Sequence, residues 1–149
     1  MQQWDKIELR LNSHRNFREV PKDLLMYLSL NDEATVAGMR ERKPKIVRLD
    51  MRNNKLVQLR DDFFESIDET AKASIEALLA SQNQLISVSN KLELLHGLSR
   101  LDLSHNQLLK APHFPANLNE LRLSHNNLHK LPRLSLPHLT SLDVTNNHL

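Results

Sequence analysis

The phrase LSRLDLSHNQL at residues 98–108 returns as LNELRLSHNNL at 118–128 and again as LTSLDVTNNHL at 139–149. Aligned on L-x-x-L-x-L-x-x-N-x-L, two earlier stretches join them, IVRLDMRNNKL (46–56) and IEALLASQNQL (75–85). Self-similarity at a short period constrains the fold more than any other feature, because each copy is a unit that buries its apolar side only against its neighbours. The asparagines of the motif stand at 54, 83, 106, 126 and 147, which makes the spacings 29, 23, 20 and 21. Counting back by 21 from Asn54 reaches Glu33 in LMYLSLNDE (25–33), and a further 21 reaches Asn12 in WDKIELRLN (4–12). The reading is seven turns, the first two degenerate, as suits an end unit with a different outer surface.

Within the motif the alternation has period two, so Leu101 and Leu103 are expected to face inward while Arg100, Asp102 and Ser104 face outward. Such a strand buries its leucines by stacking on the next as a parallel ladder, about 4.8 Å away. A polar residue repeated among leucines needs partners for its donors and acceptors, and one amide per turn meets that need repeatedly.

The five copies resemble the leucine-rich repeat family, over about the last two-thirds of the chain. The resemblance implies that the asparagine amide bonds backbone groups of adjacent turns. It also implies an α/β fold: a right-handed leucine-rich-repeat solenoid with a parallel concave sheet, short irregular convex segments and one or two helices. The expected division is one domain over 1–149, with degenerate repeats or a cap over 1–45 and five clear repeats over 46–149. The PxxLxxLxLSHNxLxxLP phrasing of the later turns looks like the short repeats of bacterial proteins, including secreted effectors. KPKIVRLDMRNNKLVQLRDDFFESI, from residue 43 onward, is similar to part of the leucine-rich-repeat domain of nuclear messenger-RNA export receptors.

Nine or ten residues remain to return the chain between the short repeats, too few for a full helix with its turns. The proline-rich LKAPHFPAN (109–117) and HKLPRLSLPH (129–138) favour extended geometry there. The 29-residue turn has room for more. Phe64, Ile67, Ala71 and Ile75 approach helical spacing behind Asp61 or Asp62 as N-cap, which predicts a helix over about 62–72 and a strand around 77–81. A single helix running through Leu79 is the competing reading. A further helix is expected at about 33–42, ending before Pro44.

Charge and composition narrow the function. The net charge is +2 and aromatic residues make up 4%. Residues 1–60 carry 13 Lys/Arg against 8 Asp/Glu, and residues 61–80 one against six. No window approaches the roughly 18 apolar residues of a membrane span, so no membrane partner is expected. The chain has no cysteine, which removes disulfides, thiolate metal sites and thiol catalysis together. That absence points to an intracellular setting, cytoplasm or nucleus, with a mature secreted chain as the other case. There is no GxSxG, no HExxH and no phosphate-cradling loop, and the two glycines are Gly38 and Gly97. No enzyme activity, cofactor or metal is expected. His105 and His125 hold equivalent places in consecutive repeats, but the flanking turns supply Gln82 and Asn146 there, and a tetrahedral metal needs three or four ligands.

The outward columns of the ladder carry the functional expectation. One reads Arg48, Ala77, Arg100, Glu120, Ser141, and the other Asp50, Leu79, Asp102, Arg122, Asp143. Stacking sets Arg122 between Asp102 and Asp143, and Arg100 beside Glu120. The candidate contact residues are Arg48, Asp50, Arg52, Arg100, Asp102, Ser104, Glu120, Arg122, Ser124 and Asp143, presented rigidly to another protein. One alternative is an RNA-binding adaptor using the basic run Arg40, Arg42, Lys43, Lys45, Arg48 and Arg52. A second is the recognition part of a larger protein such as a bacterial effector. The motif's last letter is Leu149, with no polar cap beyond it, so the chain is expected to be monomeric or paired through that edge.

Overall fold

A computed structural model of the chain describes residues 6–11, 17–22, 24–25 and 45–149. The elements are, in order, β1 (Lys6–Arg10), β2 (Lys45–Asp50), β3 (Gln58–Leu59), α1 (Asp61–Glu65), α2 (Glu69–Ser74), β4 (Ala77–Leu79) and β5 (Ser87–Val88). A 3-10 turn over Asn90–Leu94 precedes β6 (Arg100–Asp102), β7 (Glu120–Arg122) and β8 (Ser141–Asp143). The fold is mixed α/β. Six strands form one parallel sheet in the order β1-β2-β4-β6-β7-β8, and β3 pairs with β5 in a second, two-stranded sheet. The return segments 109–117 and 129–138 hold neither helix nor strand.

The ladder keeps the motif copies in one phase. Leu49, Leu78, Leu101, Leu121 and Leu142 pair in succession across the sheet. The first four are completely buried, as are Met51, Ala80, Leu103 and Leu123 two residues further along. Leu56, Leu85, Leu108 and Leu128 add a further buried set where the motif ends. Each buried leucine contributes roughly 1.5–3 kcal/mol of transfer free energy, so this repeated interior is the main source of stability.

Asparagine ties the copies together, as the family resemblance implied. Asn83 Nδ2 donates to the Met51, Ala80 and Ser81 carbonyls at 2.9, 3.1 and 3.3 Å, and its Oδ1 accepts the Leu56 N–H at 3.1 Å. Asn54, Asn106, Asn126 and Asn147 repeat this pattern. The residue just before each asparagine has a positive φ, from 54° to 58°, at Asn53, Gln82, His105, His125 and Asn146. Asn and His tolerate this left-handed conformation better than most side chains. Both histidines of the repeated phrase are therefore turn residues.

Three expectations need correction. First, β1 pairs directly with β2, Leu9 beside Leu49, with a register irregularity between Ile7 and Glu8. The count of seven turns had set a copy of the motif between these two strands. Residues 26–33 and the helix expected at about 33–42 lie outside the described residues. Second, the helix expected over 62–72 is two short helices. Asp68 breaks it by capping α2, its Oδ1 accepting the Ala71 N–H at 2.7 Å, because a cap geometry competes with helix continuation. Third, the residue capping α1 is Arg60, without a side-chain cap bond, while Asp61 and Asp62 fall inside its first turn.

The strand expected near 77–81 is present as β4, which rules out one helix through Leu79. Ile75 turns extended after α2, and Ser74 Oγ donates to the Ile46 carbonyl at 2.6 Å, anchoring the helix end to β2. Gly97 packs there too. Its N–H donates to the Lys72 carbonyl at 3.1 Å, and a Cβ at this position would lie 2.1 Å from the Ala73 carbonyl oxygen. Among the described residues no helix is long and apolar enough to cross a membrane.

Candidate functional site

The sheet brings the outward side chains into two rows. One runs Glu8, Arg48, Ala77, Arg100, Glu120, Ser141, and the other Arg10, Asp50, Leu79, Asp102, Arg122, Asp143. These are the columns read from the motif alignment, extended by β1. The expected neighbours are in place: Arg122 lies between Asp102 and Asp143, and Arg100 Nε is 3.1 Å from Glu120 Oε2.

The ion pairing is more local than the columns suggested. Arg122 Nε donates to Glu120 Oε1 at 2.8 Å, on its own strand, while Arg100 Nε meets the same carboxylate as an ion pair without hydrogen-bond geometry. At the other end, Arg48 Nε lies 3.5 Å from Glu8 Oε1, and Arg10 Nε lies 3.4 Å from Asp50 Oδ2. Arg52 grips Asp50 with Nε at 3.0 Å and Nη2 at 2.8 Å, and its backbone N–H adds a third bond at 3.1 Å. Burial pushes the Asp50 carboxyl up, but the Arg52 hydrogen bonds, with the charges of Arg52 and Arg10, outweigh it and hold the group below its usual range. Arg52 is shifted up in turn, first by its bond to Asp50.

Four of the ten expected contact residues are buried rather than exposed. Asp50, Asp102, Ser104 and Ser124 are all buried, at 3%, 9%, 7% and 7% exposure. Asp50 lies against Arg10 and Arg52, and Asp102 is taken up by the turn that follows its strand. There Asp102 Oδ1 accepts both the N–H of Ser104, at 3.0 Å, and its hydroxyl, at 2.6 Å. Asp143 treats Thr145 the same way, at 3.1 and 2.7 Å, and these bonds hold its carboxyl below the usual range. The aspartates are thus turn-forming groups, and the sequence signal is an Asp two residues ahead of Ser, Thr or Arg (LDLS, LDVT, LDMR). The remaining candidates, Arg48, Arg52, Arg100, Glu120, Arg122 and Asp143, are partly or well exposed. Leu79 sits between Asp50 and Asp102, itself 1% exposed.

The basic run is divided. Residues 40–44 lie outside the described part, while Arg48 and Arg52 are engaged with Glu8 and Asp50. His105 and His125 stack with ring centroids 4.2 Å apart, and Asn146 Nδ2 lies 3.1 Å from His125 Nε2. Among the described residues no group of three His, Cys, Asp or Glu gathers as a metal site. No protein-family model matches the chain, and no curated protein sequence matches it.

Proposed function

We propose that this chain is a short leucine-rich-repeat solenoid whose work is non-catalytic recognition of another protein, through the arginine–carboxylate rows of its sheet. The observation that carries the reading is the Arg100–Glu120–Arg122 cluster, in which one carboxylate hydrogen-bonds Arg122 at 2.8 Å and ion-pairs with Arg100 of the neighbouring strand at 3.1 Å. Side chains ordered before binding lose little freedom when a partner arrives, so they favour specific docking. Arginine is also enriched where protein interfaces concentrate their binding energy. The rows mix both signs and pair within themselves, which favours a partner of mixed charge over a uniformly charged polymer.

Affinity capture with the wild-type chain and with Arg122→Glu, read by mass spectrometry, tests this. Arg122 is exposed and its partner is on the same strand, so folding should stay nearly intact, with a cost below about 1 kcal/mol. The expected result is a partner retained by wild type and lost by the variant. If Arg122→Glu instead collapses the thermal melt, or if captured proteins do not differ between the two, the assignment to these rows fails. A titration against RNA at two salt concentrations is expected to show no salt-dependent affinity.

A further inference from the structure

Every other strand of the six-stranded sheet sets at least one charged side chain in the two outward rows, whereas β4 supplies Ala77 and Leu79. Arginine stands on both sides of this uncharged strand: Ala77 pairs with Arg48 of β2 and with Arg100 of β6. Each arginine has its acid on the side away from β4. Arg48 Nε lies 3.5 Å from Glu8 Oε1 on β1, and Arg100 Nε lies 3.1 Å from Glu120 Oε2 on β7. Neither contact is a hydrogen bond, and both Nε atoms are buried without an acceptor among the described residues. Folded proteins leave few buried donors unmatched, and these two stand in register either side of Ala77.

The accessible charges around β4 are of one sign. The side chains of Arg48, Arg52 and Arg100 are 36%, 39% and 40% exposed. The acids beside Leu79 are Asp50 and Asp102, both buried and already engaged, Asp50 by Arg52 and Asp102 by Ser104. The Arg52 guanidinium, bonded to Asp50, is also within reach of the charge of Asp102 on the far side of β4. What solvent meets over Ala77 is therefore cationic, although the sheet as a whole mixes both signs.

The spacing suits a small anion. β2 and β6 are two strand spacings apart, roughly 9.6 Å at about 4.8 Å each. A carboxylate between two guanidiniums, with hydrogen bonds of about 2.8 Å on each side, spans such a gap. We propose that the notch over Ala77 receives the carboxylate of an aspartate or glutamate side chain of the partner protein, held between Arg48 and Arg100 with Arg52 beside it. This rests on the reading of the sheet as a protein-docking face and states what the partner must present there. Each arginine then turns from a partly exposed acid of its own sheet to one that the partner brings. An extended polyanion running along the row would meet Glu8 on one side and Glu120 on the other, so a single carboxylate fits better than a nucleic-acid strand.

Ala77→Glu tests the notch in the whole chain without a partner, since it places a carboxylate there from a residue that is only partly buried. By NMR the introduced carboxylate should titrate below the ordinary glutamate value of about 4.3. The Nε–H signals of Arg48 and Arg100 should move with that titration, and Arg48→Gln or Arg100→Gln in the same background should return it towards the ordinary value. Ala77→Glu should also melt above Ala77→Gln at neutral pH. An ordinary titration, arginine signals that ignore it, or a melt below that of Ala77→Gln would each overturn the proposal. The second arm uses the protein retained by wild type and lost by Arg122→Glu. Ala77→Glu, which fills the notch, should lose that protein while Ala77→Gln keeps it. Retention by Ala77→Glu would sink the notch and leave the docking reading standing. If wild type and Arg122→Glu retain the same proteins, the docking reading fails and takes the occupant with it. A single-stranded RNA oligonucleotide that binds wild type and is released by Ala77→Glu would overturn the choice of a protein carboxylate.

Discussion

The side-chain oxygen of Asn106 accepts the backbone N–H of Leu85 at 3.0 Å, twenty-one residues earlier in the chain. Its amide nitrogen donates to the Ala80, Leu103 and Ser104 carbonyls at 3.0, 3.0 and 3.1 Å. One buried amide therefore joins two motif copies and closes the turn of its own. Asn106→Ala should leave several buried backbone groups unmatched at roughly 1–3 kcal/mol each. The expected loss is about 3 kcal/mol or more in urea unfolding, with Asn106→Asp also destabilising because it removes the donors. A loss under about 1 kcal/mol would show that water replaces the amide freely.

Leu101 and Leu121 are neighbours in the ladder and both are completely buried. Leu101→Ala or Leu121→Ala should each cost roughly 2–5 kcal/mol by leaving a cavity. The same change at Leu142, 43% exposed, should cost much less. Chemical denaturation of the three variants ranks them.

Gly97→Ala places a methyl 2.1 Å from the Ala73 carbonyl oxygen, and the obstacle is backbone that cannot swing aside. The end of α2 has to move, at a cost of about 1–3 kcal/mol, as for other overpacked sites. The amide of Gly97, bonded to the Lys72 carbonyl, should lose protection in hydrogen exchange while amides of β7 and β8 keep theirs. Uniform loss across the sheet would mean that this contact supports more than the helix end.

Asp50 titrates lower in the folded chain than in the unfolded one, since its bonds from Arg52 outweigh the effect of burial. A lowered carboxyl stabilises the fold above its unfolded pKa, and that contribution is lost as pH falls through the folded value. Stability should therefore decline below about pH 4, the ordinary carboxylate range. Asp50→Asn should be less stable at neutral pH and flatter in the acid range. Melting curves from acid to neutral pH compare the two, and parallel acid slopes would remove Asp50 as the source.

The sequence by itself determined the ladder. Strand phase follows from period-two alternation, and the repeated Leu and Asn positions permit one register, so Arg100 beside Glu120 and Arg122 between Asp102 and Asp143 were legible as columns. These are consequences of local spacing copied several times. Only the tertiary structure decided what those spacings do not encode. Asp102 is taken up by the turn that follows its strand, so it and Ser104 are buried although the alternation reads both outward. Asp68 outcompetes helix continuation and divides the segment 61–74. β1 lies directly against β2 although the count by 21 sets them two periods apart, so the period by itself does not give the neighbour. Gly97 is required by the approach of α2, a contact set by packing between distant residues, and packing of that kind leaves no period in the chain for a reader to count.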